Sequence, residues 1–242
     1  MDQTIERTII LHYHLFKNAG TSVDAILKRN FGDRWVTREF PAMGGNNTEL
    51  VERWIRETPD AVAYSSHTMM GPIPEVEGVR VISFMLLRDP IERIKSAYRF
   101  ERTQQADTWG AQLAKECDFS GYVLTRSARS GDRQCRSFQT HRMASLCPGG
   151  ESELDSAISG MLKLSLVGLV DEFTQAMLRL KLIVSDYYPD FNISTVHHNA
   201  SIGSTKSLDD DTIRLLEKNN QADFILLEAA RDRIEQMLAP QS

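Results

Sequence analysis

His12-Tyr13-His14-Leu15-Phe16-Lys17-Asn18-Ala19-Gly20-Thr21-Ser22 decides the fold. The apolar run Thr8 to Leu11 leads into it as a buried strand over residues 8–14, and helical spacing of Val23, Ile26 and Leu27 follows over 21–30. A strand that feeds a small-residue loop and then a helix aims backbone N–H groups and the positive end of a helix dipole at one place. Lys17 adds a full charge, so the segment reads as an anion cradle. It is not a Walker A loop, because G-x-x-x-x-G-K-[ST] places lysine after the last glycine and here it comes before.

Outward from this segment, strands and helices alternate. Residues 31–47 are broken by glycine, proline and asparagine and read as loop. Thr48 is positioned to cap a helix to about Thr58. Ala61 to Ser65 reads as a short strand, and Val79 to Leu87 as a central one ending at Arg88-Asp89-Pro90. Proline at a first helical position opens the next helix. Residues 103–150 are polar and broken, with helices expected near 109–116 and 119–127. A strand over Leu164–Val170, a helix from Asp171 to about Val184, a helix capped by Ser207 through about Asn219, and a last helix over about Ala222–Leu238 complete the pattern. The expectation is one α/β domain spanning 1–242: a three-layer, P-loop-like arrangement with a central parallel β-sheet flanked by α-helices. Ligands of such sheets sit beyond the carboxyl ends of the strands. That rule gathers Lys17, His67 and Arg88 at one rim, because each follows an expected strand.

Bulk properties bound the function. The chain has 242 residues, 41% hydrophobic and 25% charged, with a net charge of −5. These values suit a globular protein and speak against one that wraps nucleic acid. No run approaches the roughly 18 to 20 apolar residues of a membrane span. The N-terminus is polar and acidic and lacks a secretory signal pattern, so a cytoplasmic protein is the simplest reading. Cys117, Cys135 and Cys147 match no metal-ligand spacing; reduced thiols are expected, with a Cys135–Cys147 bridge as the alternative.

A second segment, Arg88-Asp89-Pro90-Ile91-Glu92-Arg93-Ile94-Lys95-Ser96-Ala97-Tyr98, brings a guanidinium at a strand end and a hydroxyl two turns along a helix. This pairing suits a second phosphate, distinct from the one at Lys17. Two separated anion sites on one nucleotide imply a 3′-phosphate as well as a 5′-chain.

Lys17-Asn18-Ala19-Gly20-Thr21-Ser22 resembles the sulfotransferase loop that grips the 5′-phosphosulfate of 3′-phosphoadenosine 5′-phosphosulfate (PAPS). Arg88-Asp89-Pro90…Arg93…Ser96…Tyr98 resembles the 3′-phosphate motif of that family, in its carbohydrate-type branch with the heparan O-sulfotransferases and many bacterial proteins. The branch usually opens His-Ile-Pro-Lys-x-Gly-Gly-Thr-Ser. Phe16 here stands for the proline and Ala19 for the first glycine. Weaker echoes are Ser66-His67-x-x-x-Gly71, Val167-Gly168-Leu169-Val170-Asp171-Glu172-Phe173 and Asn219…Asp223…Leu226-Leu227.

The resemblance implies sulfuryl transfer from PAPS to a hydroxyl, leaving adenosine 3′,5′-bisphosphate, by in-line displacement that depends on positioning and charge stabilisation. It implies that Lys17 neutralises the departing bridging oxygen. Asn18, Ala19, Gly20, Thr21 and Ser22 would form the 5′-phosphate cradle, with the N–H groups of Gly20 to Ser22 doing the holding, and Arg88 and Ser96 would bind the 3′-phosphate. His67 is the candidate general base, since imidazole titrates near neutrality. The scheme requires no metal, and the sequence shows no ligand cluster; His12 and His14 share a strand face without an evident third ligand. His14 is expected to position the loop, the alternative being contact with the acceptor. The acceptor is expected to be a carbohydrate or glycolipid, with no nucleic acid and no membrane span involved, and its pocket to come from residues 31–47, 68–78 and 103–150.

Several residues admit two readings. Arg93 either binds ligand or pairs with Asp89 one turn earlier. Arg126, Arg129, Arg133, Arg136 and Arg142 either close over the nucleotide or an anionic acceptor, or form a mobile loop. His197-His198-Asn199 either line the acceptor site or make a polar turn. Asp209-Asp210-Asp211 suits a first helical turn. The rival functions are a nucleotide-dependent kinase, with Asp89 as its metal-binding acid, and an inactive relative that binds nucleotide or a partner without turnover.

Overall fold

The computed structural model describes residues 5–41, 45–193 and 209–238. Five strands, β1 (Arg7–Tyr13), β2 (Trp35–Thr37), β3 (Ala63–Ser66), β4 (Val79–Leu87) and β5 (Leu166–Leu169), form one sheet in the order β2-β3-β1-β4-β5. Every pairing is parallel. The chain leaves β1 toward one edge and returns to its other side at β4, so the carboxyl end of β1 lies where the winding reverses, the usual ligand crevice of such sheets.

The helices among the described residues are α1 (Gly20–Phe31), α2 (Thr48–Glu57), α3 (Pro90–Thr103), α4 (Trp109–Glu116), α5 (Phe119–Ala128), α6 (Phe138–Ala144), α7 (Glu153–Lys163), α8 (Phe173–Val184), α9 (Asp210–Asn219) and α10 (Gln221–Leu238). Alternation along β1 assigns the two faces. Ile9, Leu11 and Tyr13 pack with Trp54 of α2, Met143 of α6, Met161 of α7 and Leu226 of α10. Ile10 faces the opposite layer with Val23, Ile26 and Leu27 of α1 and Leu180 of α8. Truncating one of these side chains to alanine costs about 2–5 kcal/mol. A satellite core of Ile94, Tyr98, Leu113, Tyr122 and Leu216 joins α3, α4, α5 and α9.

The three-layer α/β expectation matches this architecture, with local differences. The loop expected over 31–47 contains β2, which is short and only partly buried because it is the sheet's edge. The broken region 103–150 also contains α6, and α7 follows it. Asn47 stands at the N-cap of α2, where Thr48 was expected. Asp209 caps α9, accepting the Thr212 N–H at 2.8 Å; Ser207, the expected cap, lies outside the described residues. All three cysteines are free thiols, so Cys135 and Cys147 are unbridged. Among the described residues no helix is long and apolar enough to cross a membrane.

Candidate functional site

β1 ends at Tyr13 and α1 begins at Gly20, leaving a tight loop between them. Two of its non-glycine residues have left-handed backbone, Lys17 at φ 67° and Ala19 at φ 61°. Such a conformation costs an L-residue about 1–2 kcal/mol, so the surrounding structure must hold it. Three contacts brace the loop. Asn18, 1% exposed, donates from Nδ2 to the Leu86 carbonyl and to Gln139 Oε1, both at 2.7 Å. Arg88 donates from Nη1 to the Lys17 carbonyl at 3.0 Å. Gln139 in turn clasps Arg88, accepting its N–H at 2.8 Å and donating to its carbonyl at 2.7 Å. The side chain of Asn18 is therefore a strut turned into the protein.

Ala19 occupies the N-cap of α1 without a side-chain cap. Helical geometry leaves the first N–H groups without acceptors inside the helix. Ser22 differs, donating to the Ala19 carbonyl at 3.0 Å. The donors available to an anion thus narrow from Gly20, Thr21 and Ser22 to Gly20 and Thr21, with the exposed Thr21 and half-buried Ser22 hydroxyls beside them.

The cations at this rim crowd one another. The Lys17 ammonium sits 4.3 Å from the centre of the Phe100 ring and 5.9 Å from that of Phe16, a cation–π contact. Burial lowers its pKa, and the nearby Arg88 charge lowers it further. Burial likewise lowers the pKa of Arg88; Glu92 opposes it, Arg99 adds to the lowering, and Asp89 opposes it least. An anion placed between Lys17 and Arg88 relieves this repulsion. Ser96 is half-buried on α3, one turn before Phe100, so the helix carries it along the face that meets Lys17.

Histidines adjoin the loop. A Cβ on Gly20 would lie 2.0 Å from Nε2 and Cδ2 of His14, so the imidazole rests directly on the first residue of α1. The His14 ring also packs on His67, centroids 3.7 Å apart. His67 follows β3, and its Nδ1 lies 2.8 Å from Glu39 Oε1. Lys17, Arg88 and His67 are all at the carboxyl end of the sheet, as their positions after strands predicted.

Behind them His12 Nδ1 is 3.1 Å from Asp24 Oδ1 and 3.1 Å from Ser65 Oγ, and His14 Nδ1 is 3.0 Å from Asp24 Oδ2. Burial lowers the His12 pKa to about 4 against the Asp24 bond. Burial pushes Asp24 up, but the two histidines outweigh it and hold the carboxyl well below its ordinary range. His12, His14 and Asp24 are the ligand-type cluster that the sequence did not reveal; Asp24 is the third group. Its contacts are at hydrogen-bond distance, and they brace α1 against β1. The even-numbered face of β1 turns toward α1, which is why an acid one turn into that helix meets His12.

Other expectations are corrected. Arg93 is fully buried, bonds Gln134 and stacks on Phe138, with no pairing to the Asp89 carboxylate. That carboxylate instead caps α3 through the Glu92 N–H at 2.9 Å. The arginines of the arginine-rich segment are engaged within the protein, Arg129 lying over the Trp109 ring at 4.3 Å. Arg126 is clamped between Glu101 and Asp132, Arg133 pairs with Glu153, Arg136 bonds the Ser127 carbonyl, and Arg142 donates to the Met69 carbonyl at 2.7 Å. Asp223 accepts the N–H groups of Gln139 and Thr140 at the start of α6 and so fixes the Gln139 clasp. His197-His198-Asn199 lie outside the described residues.

Residues 4–228 match the model of a sulfotransferase family. The chain belongs to the sulfotransferase family. It is 34% identical over 248 residues to an uncharacterized protein of Archaeoglobus fulgidus, an alignment covering 94% of this chain and 98% of that one. The helix start, Lys17 and Arg88 come together at one rim of the sheet, and His67 lies at the same end, packed on His14. Asn18, Gln139, Asp24 and Asp223 hold these parts in place. Glu39 and Gln139 escaped the sequence reading because their partners are distant in the chain. The one available signal was the acid at position 24, one turn into a helix that follows two alternating histidines.

Proposed function

We propose that this sulfotransferase transfers the sulfuryl group of PAPS to a hydroxyl, and that the acceptor is a carbohydrate or glycolipid, following the resemblance of the opening motif. The observation that carries the reading is the Lys17–Arg88 pair. Arg88 and burial depress the Lys17 ammonium beside a helix N-terminus, the Arg88 guanidinium bonds the Lys17 carbonyl, and among the described residues neither cation is bonded to a carboxylate. Such a site fits a polyanion. When bound, the donor supplies an activated sulfuryl group and a phosphate leaving group.

The residues of the chain divide the work. Gly20 and Thr21 N–H groups hold the 5′-phosphate with the Thr21 and Ser22 hydroxyls. Arg88 and Ser96 hold the 3′-phosphate. Lys17 leaves its resting place on Phe100 to meet negative charge developing on the bridging oxygen, a stabilisation stronger in the transition state than in the ground state. His67 takes the acceptor proton.

Against the kinase alternative, the Oδ1 of its candidate acid, Asp89, already accepts the Glu92 N–H as the cap of α3. The proposal also places the protein in the cytoplasm. Its test is transfer of ³⁵S from labelled PAPS to a panel of desulfated oligosaccharides and glycolipids. Label should appear in an acceptor with wild-type protein and not with Lys17→Ala; absence of transfer across carbohydrate, lipid and phenolic acceptors, with PAPS bound, favours the inactive relative.

A further inference from the structure

We propose that Glu39 is the positioning residue for His67, fixing the tautomer in which Nδ1 carries the proton and Nε2 the lone pair offered to the acceptor. The inference rests on the reading of His67 as general base and extends it to a residue in the segment after β2.

The geometry begins with the sheet. β2 and β3 are parallel neighbours, with Thr37 opposite Ser65, so the chain segments leaving their carboxyl ends emerge side by side. Glu39 is two residues past one strand end and His67 one residue past the other. Glu39 Oε1 accepts from the His67 backbone N–H at 3.2 Å and lies 2.8 Å from His67 Nδ1. Glu39 Oε2 accepts from the Thr68 hydroxyl at 2.8 Å. Three contacts from two consecutive residues fix the carboxylate in its plane. An ionised carboxylate can only accept, so the proton of the pair belongs on Nδ1. Burial raises the Glu39 pKa, but the bonds from His67 and Thr68 outweigh it and leave the group lowered, which keeps it ionised at neutral pH.

The ring is held from its face as well as its edge, because the His14 imidazole packs against it at a 33° tilt and itself rests on Gly20. The simplest alternative is a surface ion pair, since the two side chains are 47% and 52% exposed, and such pairs contribute little to stability. A surface pair, however, needs neither the backbone bond nor the Thr68 bond nor a ring packed against it. With Nδ1–H held by Glu39, Nε2 removes the acceptor hydroxyl proton as the acceptor oxygen forms its bond to sulfur. The bond from sulfur to the bridging oxygen breaks, and its electron pair goes to the departing phosphate oxygen. The imidazolium that results lies against the Glu39 carboxylate, which offsets its charge.

The test has a spectroscopic and a kinetic arm on the full chain. Long-range ¹H–¹⁵N spectra of ¹⁵N-histidine protein, assigned with His67→Ala, should show His67 protonated at Nδ1 at pH 8 and a mixed tautomer in Glu39→Gln. In the ³⁵S assay Glu39→Gln should lower kcat roughly 10- to 100-fold with the KM for PAPS unchanged, and should cost less than twofold in a His67→Ala background. An Nδ1–H tautomer that persists in Glu39→Gln overturns the inference, as does an equal kinetic cost in both backgrounds, which marks a merely structural role. If His67→Ala keeps wild-type turnover, the base reading itself falls; if that variant is inactive while Glu39→Gln turns over normally, only the Glu39 inference falls.

Discussion

Arg88 Nη1 donates to the carbonyl oxygen of Lys17 at 3.0 Å, so the loop after β1 and the end of β4 are one unit. The bond ties a residue with left-handed backbone, φ 67°, to the end of the central strand β4. Whatever removes the guanidinium therefore disturbs both ends of the proposed nucleotide site.

Arg88→Lys should behave almost like Arg88→Ala. A lysine keeps the charge but not the planar fork that reaches a carbonyl and a phosphate together. Loss of one charge-assisted bond costs about 1.5–3 kcal/mol, so affinity for adenosine 3′,5′-bisphosphate should fall roughly 10- to 100-fold in Arg88→Lys, as read by equilibrium binding. Full affinity in that variant would show that charge alone suffices.

Gly20 is held by space rather than by backbone conformation. Its missing Cβ leaves room for the His14 ring, which is trapped between Gly20, Asp24 and His67 and has nowhere to retreat. Gly20→Ala should destabilise the protein by about 1–3 kcal/mol, visible as a lower urea midpoint with unchanged m-value. A midpoint equal to wild type would mean that the ring moves freely.

Ala19 carries the opposite burden. Its Cβ sits on left-handed backbone, φ 61°, where the family motif has glycine. Ala19→Gly trades about 1–2 kcal/mol of native strain against about 0.5–1 kcal/mol of added chain entropy. A small net stabilisation, with Tm higher by about 1–2 °C, is expected from thermal melts, and Ala19→Val should lower Tm. A fall in Tm for the glycine variant would contradict the strain.

The His12–Asp24 pair makes stability pH-dependent with a definite sign. His12 is held neutral, with its pKa lowered from 6.5 to about 4. Between those values the unfolded chain binds a proton there that the folded protein refuses, so stability is complete above pH 6.5 and falls as pH drops toward 4. Asp24, also lowered, adds loss of the same sign at still lower pH. Denaturant titrations at pH 7.5, 5.5 and 4.5 should show this decline, and His12→Gln should flatten it between pH 6.5 and 4.5. An unchanged slope in the variant would assign the effect elsewhere.

Legibility followed sequence distance. The continuous apolar run of β4 and the proline opening α3 were readable because strand burial and helix starts are local properties, and Val79–Leu87 is found with the bounds the residues suggest. β2 has three residues at a sheet edge, too few for a period to show. α6 is short and is set by Asp223, some 80 residues away. Lys17, His67 and Arg88 were recoverable because each follows a strand. Glu39 and Gln139 were not, since the bonds that give them a part, to His67 and to Arg88, span 28 and 51 residues.

Calorimetric titration with adenosine 3′,5′-bisphosphate in the presence of EDTA decides whether the Lys17 and Arg88 ends form the proposed nucleotide site. That ligand should bind well above ADP, with binding lost in Arg88→Ala and weakened in Lys17→Ala. Preference for ATP with Mg²⁺, or binding of no nucleotide at all, would contradict the proposed site.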